Sequence, residues 1–241
     1  MNALTQTLRQ VLRAAGLDVR AYTCASSPQL RLQRQLAHHC IGLVLDVGAN
    51  DGGFGRSLLA SGYRGRLISF EPQAAEHDRL RRAAARHAGW DVAPRTAVGD
   101  RVGQLTLHVA GNSLSSSLLP MLEAHRAAAP DSAYTGTEVV PVQRLDALVS
   151  VDDVRRQPTL LKIDTQGYEA QVLDGAEALL PHLRGVYLEL SLEAMYAGQQ
   201  LFDALHARLQ GAGFRCWGLG AGFCNEQTGQ VLQLDGAYFR P

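Results

Sequence analysis

One stretch limits the folds open to this chain: Val44-Leu45-Asp46-Val47-Gly48-Ala49-Asn50-Asp51-Gly52-Gly53-Phe54. An apolar run leads into an acid and a glycine-rich turn. A segment with Phe54, Leu58 and Leu59 at helical spacing follows and stops at Gly62. This order predicts strand, tight turn and helix start, the opening unit of a parallel α/β sheet. Glycines let the backbone turn sharply and approach a ligand, and N–H groups at a helix start attract an anionic group. A second apolar run, Leu67-Ile68-Ser69-Phe70, ends in Glu71, 23 positions beyond Gly48. An acid at the tip of the second strand can accept hydrogen bonds from both hydroxyls of a ribose. Together the two pieces predict a nucleoside-containing ligand with an anionic group near the first turn.

A dinucleotide site wants glycines where a pyrophosphate presses on the turn, in the pattern G-x-G-x-x-G. The corresponding residues are Gly48, Asn50 and Gly53. The Asn50 side chain stands in the way of a pyrophosphate, which favours S-adenosylmethionine over NAD. Asp46–Phe54 with Phe70-Glu71-Pro72 resembles the FkbM family of S-adenosylmethionine-dependent methyltransferases. Thr96-Ala97-Val98-Gly99-Asp100 is similar to that family's third motif. Leu160-Leu161-Lys162-Ile163-Asp164-Thr165-Gln166-Gly167-Tyr168-Glu169, with Val172–Ala176, is similar to its fourth, the most distinctive of the set. The resemblance runs from about residue 40 to the C-terminus. It implies a Rossmann-like class I methyltransferase: a mostly parallel seven-stranded sheet flanked by helices, in strand order 3-2-1-4-5-7-6. It also implies cofactor contacts at Asp46, Gly48, Asn50, Gly52, Phe54, Glu71, Ala97 and Val98, and Ser115 and Ser116 resemble a serine pair of the family, although no G-x-S-x-G elbow marks a serine nucleophile.

With 241 residues and 46% hydrophobic content, the chain can bury one sizeable core. We expect an N-terminal helical segment, 1–40, packed on a methyltransferase domain, 41–241. The formal net charge is zero, so no global field points to nucleic acid or to an anionic membrane. Cys24, Cys40, Cys216 and Cys224 lack C-x-x-C spacing and read as free thiols of a reducing cytoplasm. The N-terminus has neither the apolar core of a signal peptide nor a membrane span.

Leu4, Leu8, Val11, Leu12 and Ala15 recur at helical spacing, and a second helix follows Pro28 with Leu32, Leu36 and Cys40. Both are expected to pack on the sheet; a homodimer contact or a wall of the substrate pocket is the alternative. His38 and His39, adjacent on a helix, should point apart and make no metal pair. A helix over 73–88 should carry solvated His77 and His87, and a third strand should run over 91–98. Residues 104–109 alternate in polarity and suit an added β-strand, pairing with 138–143. The connection between them, around Ser113–Ser117, is the candidate substrate-selecting element. Strands over 159–163, 185–190, 214–219 and 231–239, with helices from Tyr168 and over 199–212, complete the pattern.

Asp46, Glu71, Asp164 and Glu189 fall near strand ends, where ligands of α/β sheets bind. The implied strand order brings Asp164 to the transferred methyl group. Transfer to an alcohol requires removal of its proton, and Asp164 is the first candidate base, with Glu189 second. The same acids could instead hold Mg²⁺, although no spacing marks a metal site. Lys162, the only lysine, lies in a central strand and needs an acidic partner there. Tyr168, Glu193 and Tyr196 could line the acceptor pocket, and His108 and His125 could serve as bases if the inserted segment folds over it. The activity expected is O-methylation of a small molecule, sugar or polyketide-like product. The alternatives are an NAD-dependent oxidoreductase and a non-catalytic nucleoside-binding scaffold. Asn50 and the missing Tyr-x-x-x-Lys pattern speak against the oxidoreductase.

Overall fold

The computed structural model describes residues 3–241; the side chains of Leu4 and Leu8 lie outside what is described. Every residue of strand β1, Leu43–Val47, is buried. Such a strand must lie in the middle of a sheet covered on both faces. It pairs in parallel with β2, Arg66–Phe70, on one side and with the later strand Thr159–Ile163 on the other. Between β1 and β2 runs α3, Gly53–Ala60, and beyond β2 runs α4, Ala74–Ala84. Two helices precede the sheet: α1, Ala3–Ala14, and α2, Pro28–His38. Ser27 caps α2 by accepting from the Leu30 amide, and Pro28 sits in its first turn, where a missing N–H costs nothing. The packed part of the N-terminal segment is α2, through Leu32 and Leu36, while Val11 of α1 is 62% exposed.

The expected strand over 91–98 is two strands in two sheets. β3, Trp90–Val92, joins β2, whereas β4, Ala97–Val98, joins a separate three-stranded sheet. Pro94 lies between them, and a proline has no N–H to continue a ladder. The second sheet is completed by a hairpin of β5, Gly103–Ala110, and β6, Tyr134–Gln143, with Gln104 opposite Pro141. This matches the pairing foreseen for the inserted strand. The connection within it is less open than expected, since it carries helix α5, Glu123–Ala128.

Short helices α6, Leu145–Leu148, and α7, Val151–Arg155, lead into β7, Thr159–Ile163. Then come α8, Glu169–Gly175; β8, Gly185–Ser191; α9, Phe202–Gly211; β9, Arg215–Ala221; and β10, Gln233–Phe239. The main sheet has order β3-β2-β1-β7-β8-β10-β9, with β10 antiparallel to both neighbours. Counted within this sheet, the order is the expected 3-2-1-4-5-7-6. Helices α2, α3 and α4 pack on the face of Val44, Leu67 and Leu160, and α6 to α9 pack on the face of Leu45, Leu161 and Val186.

Three histidines differ from expectation. His77 is buried, with Nε2 2.9 Å from the Ala93 carbonyl oxygen, because its helix face lies on the turn after β3. His38 and His39 do not point apart: their rings meet edge to face at 4.9 Å, and His39 stacks on Phe239 at 4.2 Å. His39 is the C-cap of α2, so its backbone has already left the helical path.

Candidate active site

A cavity opens at the carboxyl ends of β1, β2, β4 and β7. Strand order reverses between β1 and β7, and such a switch point is where open α/β sheets bind ligands. The wall includes Gly48 and Asn50 after β1, Glu71 after β2, Ala97 and Val98 of β4, and Asp164, Gln166 and Tyr168 after β7. Ser113–Leu118 of the inserted hairpin close it from above, except Ser115, whose carbonyl turns to Tyr196 instead.

Glu71 is the acid the spacing pointed to. Its Oε2 accepts the Asn50 amide at 2.7 Å and its Oε1 the Gln73 amide at 2.8 Å. A carboxylate has about four acceptor sites, so each oxygen keeps room for a ligand hydroxyl. Burial pushes its pKa up to about 7, against the two amides and Lys162, which pull it down. Three N–H groups of the turn into α3 are taken. Asp51 N donates to Asn50 Oδ1, Gly52 N to Ala49 O, and Gly53 N to Asp51 Oδ1. The Asn50 and Asp51 side chains take two of these amides and the Ala49 carbonyl takes the third.

Three of the expected cofactor residues lie off the cavity wall. Asp46 is fully buried beneath it, 3.1 Å from Lys162 Nζ through Oδ1, and accepts Ser69 Oγ at 3.0 Å through Oδ2. Gly52 packs on Leu80 and Trp90. Phe54 faces a different cleft, between α2 and α3.

Lys162 meets its predicted partners, Asp46 and, at 3.7 Å, Asp164. It also donates to the Gly48 carbonyl at 2.9 Å. Burial alone would lower its pKa, but the two carboxylates outweigh it and the net shift is upward, so the amine stays charged. Asp164 remains 43% exposed at its side chain, on the wall. Glu189 lies behind it.

The residue that sequence reasoning passed over is Gln166. Its Nε2 donates to Asp164 Oδ1 at 2.8 Å and to Glu189 Oε2 at 3.1 Å. Its Oε1 accepts from the Tyr196 hydroxyl at 2.9 Å, and its backbone oxygen accepts from Ser117 Oγ at 2.6 Å. A backbone φ of +54 holds it there. The only hint in the sequence was its place two positions after Asp164. Glu189 also accepts from Gln233 Nε2 at 2.6 Å. Its pKa is well above the ordinary range because of burial first, then Asp164, Glu169 and Asp235. Among the other candidates, Tyr168 lines the cavity, Tyr196 is buried against the insertion, and Glu193 is exposed and bonded to Gln230. His108 stacks on Tyr134, and His125 is buried near Tyr196; neither lines the cavity. Among the described residues no group of three His, Cys, Asp or Glu side chains comes together as a metal site, and no helix is long and apolar enough to cross a membrane.

Fold and site together define an S-adenosylmethionine-dependent methyltransferase of Rossmann-like architecture. More narrowly, the chain belongs to the FkbM methyltransferase domain family, whose model matches residues 46–216. It is 28% identical over 216 residues to the 2-O-methyltransferase NoeI of Sinorhizobium fredii, covering 80% of this chain and 81% of that protein. Among solved structures it is similar to a TehB-like SAM-dependent methyltransferase from Corynebacterium glutamicum, with 14% identity, TM-score 0.41, and coverage of 99% and 96% of the two chains. It is also similar to Sp1610 of Streptococcus pneumoniae, a candidate tRNA (m1A22) methyltransferase in complex with S-adenosyl-L-methionine. That match has 12% identity, TM-score 0.49, and coverage of 87% and 72%. The donor set fits this cofactor: one carboxylate with spare acceptor sites for a ribose, and an apolar shelf of Ala97, Val98 and Phe70 for a flat base.

Proposed function

We propose that the protein transfers a methyl group to a hydroxyl oxygen of a small molecule or sugar, with Asp164 as the base. The observation that carries this is Asp164 itself, a half-exposed carboxylate on the cavity wall, held by one ammonium and one amide. Gly48, Asn50, Glu71, Ala97 and Val98 line the cofactor's cavity, and Glu71 takes the ribose hydroxyls. Asp46 and Gly52 act from behind, by holding Lys162 and the turn. When bound, S-adenosylmethionine supplies an electrophilic methyl carbon whose sulfonium leaves as a neutral thioether. Asp164 is the residue placed to accept the hydroxyl proton during transfer, and Lys162, 3.7 Å away, holds its carboxylate in position. Fixing the acceptor hydroxyl against Asp164 supplies a large part of the acceleration.

Glu189 is less suited to the base role. It is buried, with a pKa raised well above the ordinary carboxylate range, and it is bonded to Gln166 and Gln233, so its part is to anchor Gln166. The name of the relative NoeI, a 2-O-methyltransferase, supports oxygen as the target. The test is Asp164→Asn. Turnover should fall by about 10²- to 10⁴-fold, while S-adenosylhomocysteine affinity changes by less than about threefold. Cofactor binding by the wild type without methylation of any hydroxyl-bearing acceptor would favour the scaffold alternative.

A further inference from the structure

The charged residues that line the cavity are Glu71 and Asp164, both acids; no arginine, lysine or histidine lines it. The amino-acid end of S-adenosylmethionine carries a carboxylate, which this wall has to hold with neutral donors. The glycine turn does not supply them. Of Gly48–Gly53, only Gly48 and Asn50 line the cavity. The Gly48 amide donates to the Phe70 oxygen at 3.1 Å, and the Asn50 amide to Glu71 at 2.7 Å. At the start of α3, Phe54 and Gly55 stand off the wall, and Gly55 packs on Trp90. Most side-chain donors of the wall are spent as well. Ser117 Oγ donates to the Gln166 oxygen, Thr165 Oγ1 to Glu169, and Thr96 Oγ1 to the Ala97 oxygen. Gln166 Nε2 serves Asp164 and Glu189, and the Tyr168 hydroxyl is engaged by Asp100 and Arg101. Ser113 Oγ and Ser116 Oγ only accept, from Asn50 Nδ2 and the Ala110 amide, and their own hydrogens have no acceptor among the described residues. The second hydrogen of Asn50 Nδ2 is free in the same sense.

We propose that Ser113 of the inserted hairpin and Asn50 of the first turn together hold the carboxylate of the cofactor's amino-acid end. The inference rests on the methyl transfer proposed above. Asn50 Nδ2 and Ser113 Oγ are 3.4 Å apart, so two distant parts of the chain bring donors to one point. That separation is longer than a full N–H···O bond, which leaves both groups free to turn to an anion. A charged acceptor forms the stronger bond and wins them. Asn50 Oδ1 is committed to the Asp51 amide at 2.8 Å, so Nδ2 is the end with a hydrogen to give. Both residues hold a left-handed backbone, with φ of +48 at Asn50 and +51 at Ser113. Asparagine tolerates this region, whereas serine rarely adopts it. The loop is built around that conformation. Asn112 Oδ1 accepts the Ser115 amide at 3.1 Å, and the Ser113 oxygen accepts the Ser116 amide at 3.2 Å. At Ser113 the insertion, expected to select the acceptor, thus serves the cofactor.

The test is calorimetric titration of the full chain with S-adenosylhomocysteine and with S-adenosyl-3-thiopropylamine, which keeps the nucleoside, the sulfur and the amine but has no carboxylate. Wild type should bind S-adenosylhomocysteine more tightly by about tenfold or more. Ser113→Gly removes the hydroxyl and suits the left-handed backbone. It should weaken S-adenosylhomocysteine by about tenfold and the thiopropylamine by less than about threefold. Asn50→Asp keeps an acceptor for the Asp51 amide but sets one carboxylate against another, so it should reverse the preference and favour the thiopropylamine. Equal losses for the two ligands in Ser113→Gly would make the hairpin a plain roof and overturn the proposal. Undiminished S-adenosylhomocysteine binding in that variant overturns it too, as does wild type that binds both ligands alike or Asn50→Asp that keeps the wild-type preference. Failure of the wild type to bind S-adenosylhomocysteine overturns the methyl-transfer reading and this one with it.

Discussion

A β-carbon at Gly48 would sit 1.8 Å from the backbone oxygen of Asp164, and its φ of +74 already costs any other residue about 1–2 kcal/mol. The contact is backbone on backbone, so relief means moving the ends of β1 and β7 apart. Gly48→Ala should therefore lower the thermal midpoint by several degrees and abolish cofactor binding; a native midpoint with intact binding would refute that close approach. Lys162 is equally constrained. Lys162→Met strands Asp46, which is fully buried, and should cost about 3–5 kcal/mol in urea unfolding. Adding Asp46→Leu should recover most of the loss, because no buried charge is then left alone. Glu71 links pH to two opposite effects. Its pKa is raised by burial from 4.5 to about 7. The cofactor-free protein therefore has its full contribution from this group below about pH 4.5 and loses about 3 kcal/mol as pH rises through 7. Ribose hydroxyls favour the ionised form, so cofactor affinity runs the other way and weakens below about pH 7. Glu71→Gln should flatten both profiles, as followed by thermal unfolding and by calorimetry across pH.

At the scale of elements, the inserted hairpin is latched to the core beside the base. Ser117 Oγ bonds the Gln166 backbone, and Tyr196 spans Ser115 and Gln166. Gln166 in turn holds Asp164 and Glu189. Seating the hairpin and orienting the base are therefore one event. Gln166→Ala should reduce kcat by about tenfold with little change in cofactor affinity. An equal loss in kcat and in cofactor affinity would mean that the residue only shapes the cavity. None of these pairings was legible in the sequence, for they join residues as far as 81 positions apart. The elements themselves were legible, since β1, β2, β7 and β8 are buried apolar runs with an acid in the strand or at its tip, and the hairpin alternates in polarity. The break of the third strand is marked in the sequence by Pro94, whose missing N–H outweighs the strand-forming residues around it. The partners of His39 were not, because a capping residue takes its neighbours from the tertiary packing of Trp217 and Phe239.

For the whole molecule, the cavity meets the sheet at one ion pair. The cavity of Glu71 and Ala97 reaches Asp164 from the side of β1 and β2, and the Phe54 ring of α3 covers Lys162, its partner, at 5.4 Å. Spacing alone foretold that an acid would end the second strand and another the fourth. It could not say that Phe54 turns away from the first cavity, because a motif fixes a residue's position along the helix and not which neighbour its ring meets. The central claim is that Glu71 receives the cofactor's ribose in the first cavity. Calorimetric titration of wild type and Glu71→Ala with S-adenosylmethionine, S-adenosylhomocysteine and NAD tests it most directly. Binding of both sulfur nucleosides at about micromolar affinity, no binding of NAD, and loss of both in Glu71→Ala is the predicted result. Undiminished S-adenosylhomocysteine binding in Glu71→Ala would contradict it.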